Sequence, residues 1–376
     1  MKNELEALLE ESAASCQSRE QETFDILIGN RKDLVLFGAG GLGRKVLAAL
    51  RSAGIEPLSF ADNKLAGQIV YGVSVLTPVE AAKEFGDSAT FVVTIWAAWA
   101  DTMQEQVAGL RALGCKSVVS FIPLLWKYPH LLPHTQIDAP SHVLEQKDEI
   151  RRCYELWADE DSRREFVAQL RWRLFGDFAG LNPAVPNQYW QRDLIEIGDN
   201  AIFADVGAFD GDTIGQFVSF TRGKFRSVYA FEPDARNLSA LRDRLSAMPE
   251  ETRSRIHVFD RAVAEAEYEV SFQGGAGVSS TVGGGAEIIK CVALDQALPE
   301  PPNCIKYDIE GFELLGLSGT RKIIAEKRPV LVVCAYHLQN HIWRIPLLIH
   351  SFNQNYKFYL RPHGQIWETV CYAIPA

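Results

Sequence analysis

Carboxylates crowd one short stretch of this chain. Asp205, Asp210 and Asp212 fall within Ala204-Asp205-Val206-Gly207-Ala208-Phe209-Asp210-Gly211-Asp212-Thr213, and Glu232 closes the apolar run of Tyr229-Ala230-Phe231-Glu232-Pro233-Asp234. The pattern reads as strand, glycine turn, helix and second strand ending in a carboxylate, which is the layout of a nucleoside pocket on a doubly wound sheet. Charge then selects the nucleoside. A pyrophosphate wants glycines and a bare helix N-terminus, whereas like charges a few ångström apart cost on the order of several kcal/mol at a partly buried site. A cationic cofactor without phosphate suits the turn better, and S-adenosylmethionine, with its sulfonium and ammonium groups, meets that requirement. The expected chemistry is transfer of the sulfonium methyl. Gly207 and Gly211 would let the backbone approach the cofactor, or simply make a tight turn. Glu232, 25 residues after Gly207, would accept the ribose hydroxyls. Asp205 would orient the turn and the methionine ammonium, and Phe209 would contact the cofactor. Asp260, after the third expected strand, reads either as a partner of the adenine amino group or as a surface turn residue.

A second group of acids lies in Ile305-Lys306-Tyr307-Asp308-Ile309-Glu310-Gly311-Phe312-Glu313, with Ala335-Tyr336-His337 following the next apolar run. A hydroxyl acceptor is barely ionised at neutral pH, so attack on a sulfonium methyl needs proton removal or electrostatic help. His337 would supply a general base. Alternatively, Asp308 and Glu310 would bind Mg²⁺, which chelates a diol and lowers a hydroxyl pKa. Because successive strand residues face opposite ways, these two carboxylates share a face only if the strand runs through Ile309. A structural Lys306–Glu313 ion pair and a hydrogen-bonded strand-end His337 are the plainer readings, and His341 and His363 give little reason to expect a metal cluster.

A separate glycine turn precedes both. Gly38-Ala39-Gly40-Gly41-Leu42-Gly43 matches G-x-G-x-x-G between a strand and a helix, with Asp62 lying 19 residues beyond Gly43. It has no acid in the turn and Arg44 beside it, so it suits phosphate better than the later turn does. One reading is a nucleotide site, for a dinucleotide or a nucleotide sugar, built from Gly38, Gly40, Gly43 and Asp62. The other is a Rossmann-like module without ligand. An NAD(P)-dependent oxidoreductase run from this turn is the competing function.

These motifs sit in alternating elements. Residues 33–122 predict strands at Leu34–Phe37, Pro57–Phe60, Thr90–Ile95 and Ser117–Phe121 with helices at Leu42–Ala53 and Asp101–Leu113, about four strands of a parallel sheet. Pro123, Pro129, Pro133 and Pro140 mark a boundary, followed by expected helices at Val143–Trp157 and Asp161–Phe175. The second alternation places strands at Ile202–Asp205, Val228–Phe231, Ile256–Phe259, Cys304–Asp308 and Val330–Ala335, and a closing hairpin from Tyr356–Leu360 and Glu368–Ile374. The glycine-rich stretch Gly274–Gly285 reads as a ligand-ordered loop or a flexible turn. The expected fold class is α/β, with a Rossmann-like domain over 1–122, a helical connector over 123–200 and a doubly wound domain over 201–376.

Composition narrows the partners. With 376 residues and 47% apolar content the chain supplies two cores, and its net charge of −10 is spread without a basic stripe, which disfavours nucleic acid or an anionic membrane as partner. Seven scattered cysteines without C-x-x-C spacing predict reduced, mostly buried thiols. The first 20 residues lack a basic-then-apolar pattern, and the apolar run Ala89–Ala100 falls well short of the roughly 20 residues of a membrane span, so a cytoplasmic location is expected. Assembly as a homo-oligomer stays open.

Over about residues 187–376 the order and spacing of these blocks, with Glu368-Thr369-Val370 near the end, resemble the FkbM family of S-adenosylmethionine-dependent methyltransferases. The resemblance implies a class I methyltransferase sheet and O-methylation of a hydroxyl on a sugar, glycan or natural product. The preceding residues lie outside the minimal family domain. There Phe60-Ala61-Asp62-Asn63-Lys64 with Gly67, Gly72, Val73 and Pro78 resembles the N-terminal domain of bacterial sugar-modifying acyltransferases, which implies a nucleotide-linked sugar.

Overall fold

The structure is a computed structural model that describes residues 1–96, 102–134, 136–273, 281–282, 287–364 and 368–376. Two compact units are present: Met1–Lys147 with Val167–Asn182, and Asp148–Phe166 with Pro183–Ala376. Residues 123–200, expected as a connector, are shared between the two.

In the first unit, strands β1 (Leu34–Phe37), β2 (Ser59–Ala61), β3 (Ile69–Val70), β4 (Val73–Leu76), β5 (Thr90–Val93) and β6 (Ser117–Ser120) are ordered β3-β4-β2-β1-β5-β6 among the described residues. All neighbours are parallel except β3 with β4. β2 and β5 are buried along their whole length, as parallel strands covered on both faces must be. The sheet is wider than the four strands expected. The additional pair is too short to carry a periodicity, since β3 has only two residues and meets β4 through the left-handed turn Tyr71-Gly72. Helix Gly41–Ser52 buries Val46, Leu47, Ala49 and Leu50. Helices Pro78–Phe85 and Met103–Ala112 each begin with a reciprocal capping box, Thr77 with Glu80 and Thr102 with Glu105. The acidic N-terminus forms helices Lys2–Leu8 and Ala13–Ile28, the second packed on Ile122–Lys127 and Pro140–Glu145.

The single helix expected over Val143–Trp157 is instead two, Pro140–Glu145 and Lys147–Tyr154, whereas Glu160–Phe175 is continuous. In the second unit the strands are β7 (Ile202–Val206), β8 (Ser227–Phe231), β9 (Ile256–Phe259), β10 (Ala262–Val263), β11 (Tyr268–Gln273), β12 (Thr281–Val282), β13 (Glu287–Val292), β14 (Cys304–Tyr307), β15 (Val330–Cys334), β16 (Tyr356–Pro362) and β17 (Thr369–Pro375). The large sheet runs β16-β17-β15-β14-β7-β8-β9. Strands β15, β14, β7, β8 and β9 are parallel, and β16 and β17 form the antiparallel closing hairpin. Trp190, Phe203 of β7 and Phe217 pack at centroid separations of 4.7–5.1 Å in the core, Phe203 stacked on Phe217 and edge-on to Trp190. The chain moves outward through β7, β8 and β9 and then returns to the other side of β7 as β14. The crevice at the carboxyl ends of β7 and β14 is therefore a topological switch point, where open α/β sheets bind ligands.

A small second sheet, ordered β10-β13-β11-β12, was not expected. Its two longer strands mix polar and apolar residues, and β13 buries Ile289 and Cys291 while exposing Glu287, Ile288 and Lys290, the alternation of a one-faced sheet. The expected glycine loop Gly274–Gly285 lies outside the described residues apart from Thr281 and Val282, which form β12.

Candidate active site

The crevice is organised by a buried ion pair that the parallel register imposes. Asp205 on β7 and Lys306 on β14 are direct neighbours across the sheet. Lys306 Nζ lies 3.1 Å from Asp205 Oδ1, donates to Gly207 O at 2.6 Å and lies 3.9 Å from Asp308 Oδ2. Asp205 is fully buried, and desolvation outweighs the lysine to hold its carboxyl at about 6. The plainer expectation of a Lys306–Glu313 pair is corrected: the lysine extends toward β7, and Glu313 pairs with histidines instead.

The glycine turn after β7 is shaped by close approach. Gly207 has φ +84°, and a Cβ there would meet Asp308 O at 1.9 Å, so only glycine lets the two strand ends meet. Gly211, φ +83°, caps helix Asp212–Phe220 against Leu241. Phe209 takes φ +48° and donates its N–H to Glu232 Oε2 at 2.9 Å. Glu232 Oε1 accepts from Asp234 N at 2.9 Å and Asn237 Nδ2 at 3.3 Å. Burial raises the Glu232 carboxyl, and these donors oppose the rise. Asp260, directly after β9, is exposed.

The crowd of like charges is narrower than the sequence implies. Asp205 is matched by Lys306, and Asp210 Oδ2 lies 2.5 Å from Arg244 on helix Ala235–Ser246. Asp212, exposed at the helix start, and the half-tied Glu232 are the acids left facing the turn.

Across the switch point, Asp308, Glu310 and His337 converge, with one ligand-capable atom of each within 4.8 Å of the others. They do not converge by strand alternation. β14 ends at Tyr307, and Glu310 enters the left-handed region at φ +52°, so a turn rather than a strand carries its side chain back beside Asp308. His337 Nε2 lies 3.3 Å from Asp308 Oδ1 and 3.8 Å from Glu310 Oε1. Its Nδ1 lies 2.8 Å from Glu313 Oε1. Glu313 is fully buried; it also accepts from Ile309 N at 2.9 Å and Gly311 N at 3.1 Å, and its Oε2 lies 3.1 Å from His341 Nδ1. Burial pushes Glu313 up, but the two histidines overcome it and hold the carboxyl well below the ordinary range. Burial pulls His337 down, and the three surrounding carboxylates reverse that to about 9. Desolvation raises Glu310 to about 7.

Sequence reasoning missed Tyr189. Its hydroxyl donates to Asp308 Oδ2 at 2.8 Å, and its ring centroid lies 5.1 Å from Lys306 Nζ. No local pattern marks it, because it lies 119 residues from its partner. His341 is the second buried histidine on Glu313. His363 stands apart from the cluster in the described contacts, with Nδ1 2.8 Å from Val185 O and Nε2 2.7 Å from the Tyr372 hydroxyl. Behind the Glu313 network, Gly311, His341 and Leu338 reach an open groove of ≈ 930 Å³.

The other glycine turn has an analogous internal carboxylate. Asp62 Oδ2 accepts from Ala39 N at 2.9 Å, and Oδ1 accepts from Lys64 N at 2.8 Å and Leu65 N at 3.2 Å. Arg44 Nε donates to Ala39 O at 3.0 Å. Gly43 packs its Cα against Gly38 O, where a Cβ would come within 1.9 Å, while Gly40 faces open space.

Residues 205–364 match the family model of the methyltransferase FkbM domain. This chain carries an FkbM methyltransferase domain. The matched span contains Asp205, Glu232, Asp308, Glu310, Glu313 and His337 and leaves Tyr189 outside. A crystal structure of methyltransferase FkbM from Methylobacillus flagellatus KT is similar over 99% of this chain and 98% of its own, at 22% identity and a TM-score of 0.79, so the two share a fold. An rRNA methylase from Streptococcus thermophilus aligns over 48% of this chain and 88% of its own at 15% identity and TM-score 0.31. A precorrin-6y C5,15-methyltransferase from Geobacter metallireducens GS-15 aligns over 48% and 83% at 10% identity and TM-score 0.32. No curated protein sequence matches the chain. The α/β architecture and the methyltransferase assignment thus agree with the expectation drawn from the four sequence blocks. Among the described residues no helix is long and apolar enough to cross a membrane.

Proposed function

We propose that the FkbM domain uses S-adenosylmethionine to methylate a hydroxyl of a small-molecule acceptor, with a sugar-containing compound the best fit. The observation that carries this reading is the pairing of two carboxylate groups of different character across one switch point. On the β8 side, Glu232 holds the glycine turn and keeps one lone pair on Oε2, which has a single donor, for a ribose hydroxyl. On the β14 side, the Asp308–Glu310–His337 cluster offers the electrostatics that a hydroxyl nucleophile needs. The cofactor would lie over Gly207 with its sulfonium toward Asp308. Asp205, paired with Lys306, would act by fixing the turn, and Phe209 and Asp260 would flank the nucleoside.

Alignment of methyl donor and acceptor oxygen supplies most of the acceleration, and the attacking hydroxyl is activated in one of two ways. His337, whose imidazolium the surrounding carboxylates stabilise, would accept the proton once its ring is deprotonated, or Asp308 and Glu310 would hold a cation that supplies electrostatic stabilisation to the acceptor oxygen. A sugar diol presents two oxygens to such a cluster, which is why this acceptor class is preferred. At the other glycine turn, the open face of Gly40 supports a nucleotide or nucleotide-sugar site.

Thermal-shift titration separates these readings, since a ligand selective for the native state raises its apparent stability. S-adenosylhomocysteine is expected to raise the melting temperature of the native chain, and Glu232→Ala to abolish the rise. A melt moved by NAD and unmoved by S-adenosylhomocysteine would refute the methyl-donor assignment.

A further inference from the structure

His337 is almost wholly buried, with its Nδ1 on Glu313, while its Nε2 faces Asp308 and Glu310 without a hydrogen-bond partner among the described residues. Glu313 fixes this orientation: it also accepts two backbone N–H groups of the same turn, so the carboxylate and ring are held as a unit. A carboxylate on the far nitrogen of an imidazole is the usual support of a metal-ligating histidine. Asp308 is prepared in the same way, because Tyr189 donates to Oδ2 and leaves Oδ1 toward His337. Glu310 is brought in by a left-handed backbone that a non-glycine residue adopts at some cost.

We propose that Asp308 Oδ1, Glu310 Oε1 and His337 Nε2 are the protein ligands of a divalent transition ion of the Mn²⁺ to Zn²⁺ series. Separations of 3.3 and 3.8 Å from Nε2 to the two carboxylate oxygens fit this arrangement. Donors each about 2.1 Å from one ion lie about 3–4 Å apart. Charge points the same way: Asp308, Glu310 and Glu313 surround one imidazole, and Lys306 is committed to Asp205 and Gly207 O at shorter distances than to Asp308. The imidazole decides the ion, since Mg²⁺ prefers an all-oxygen shell and nitrogen donors favour the transition series. Asp308 and Glu310 side chains are 23% and 36% exposed, so the ion would keep coordination positions open to the crevice for acceptor oxygens. The site deepens the proposed function, but ion binding does not depend on it.

The test is titration of EDTA-dialysed protein with Mn²⁺, followed by calorimetry. One saturable site per chain is expected, with Mg²⁺ at least tenfold weaker. His337→Gln and Asp308→Asn should each weaken Mn²⁺ by tenfold or more, and Glu313→Gln by about 10–100-fold. Absence of saturable Mn²⁺ binding, or unchanged binding in His337→Gln, overturns the site, and Mg²⁺ binding as tight as Mn²⁺ overturns the choice of ion. Should a variant fail to fold, pulsed electron paramagnetic resonance of Mn²⁺ on the unsubstituted protein decides: imidazole nitrogen modulation supports the site, and its absence excludes it. S-adenosylhomocysteine binding by the same metal-free protein keeps the two readings separable. If it binds and Mn²⁺ does not, the metal site alone is lost; the reverse outcome removes the cofactor assignment alone.

Discussion

Lys306 joins more of the crevice than any residue singled out for chemistry. Its ammonium neutralises Asp205, holds the Gly207 carbonyl and borders Asp308. Removing one partner of a buried pair leaves the other uncompensated, so Lys306→Met is expected to cost about 3–5 kcal/mol in urea unfolding. The sign of its pH dependence follows from Asp205. With a folded-state pKa raised above its unfolded value even beside the lysine, that carboxyl favours the folded state most at pH values below the unfolded value and progressively loses the advantage as pH rises through the folded one. The loss that Lys306→Met causes relative to the unsubstituted chain should therefore be smaller at pH 5 than at pH 7, and an equal loss at both would contradict the burial argument. The acids of this site were legible in the sequence because Asp205 lies near the end of an apolar strand and Glu232 and Asp308 directly follow one. Their partners were not. Tyr189, Arg244 and His341 reach them from distant segments, and only the folded chain reveals which charges are already matched.

Elements were read best where length and periodicity were both present. The five parallel strands of the methyltransferase domain and its closing hairpin lie within a residue or two of expectation. Short or part-exposed pieces escaped: the two-residue β3, and β11 and β13, whose apolar residues alternate with exposed ones. Turn chemistry was legible as glycine but not as mechanism, since a glycine fingerprint does not say which members pack and which face a ligand. The first unit supplies a direct contrast. Gly43→Ala must displace the Gly38 carbonyl and should cost about 2 kcal/mol or more, whereas Gly40→Ala meets no atom within 4 Å and should stay within about 1 kcal/mol. Urea midpoints of the two variants check this, and equal losses would show that the Gly38–Gly43 contact is not what the third glycine provides.

Across the whole molecule, acid sensitivity should arise in both units. Burial holds His134 in the first and His363 in the second at about 4, below the 6.5 of an unfolded chain. Between those pH values the unfolded state binds the extra protons, so stability is full above about 6.5 and falls as pH drops toward 4. A shift of this size corresponds to at most about 3 kcal/mol per histidine. His363→Gln should flatten the fall in the urea midpoint from pH 7 to pH 5, and an unaltered slope would assign the acid sensitivity to other groups.

The most direct test of the account is a crystal structure grown with S-adenosylhomocysteine. The prediction is density over Gly207, with a ribose hydroxyl on Glu232 Oε2 and the sulfur directed toward Asp308. Ligand found at the Gly38 turn instead, or a Gly207 crevice filled by protein side chains, would contradict it.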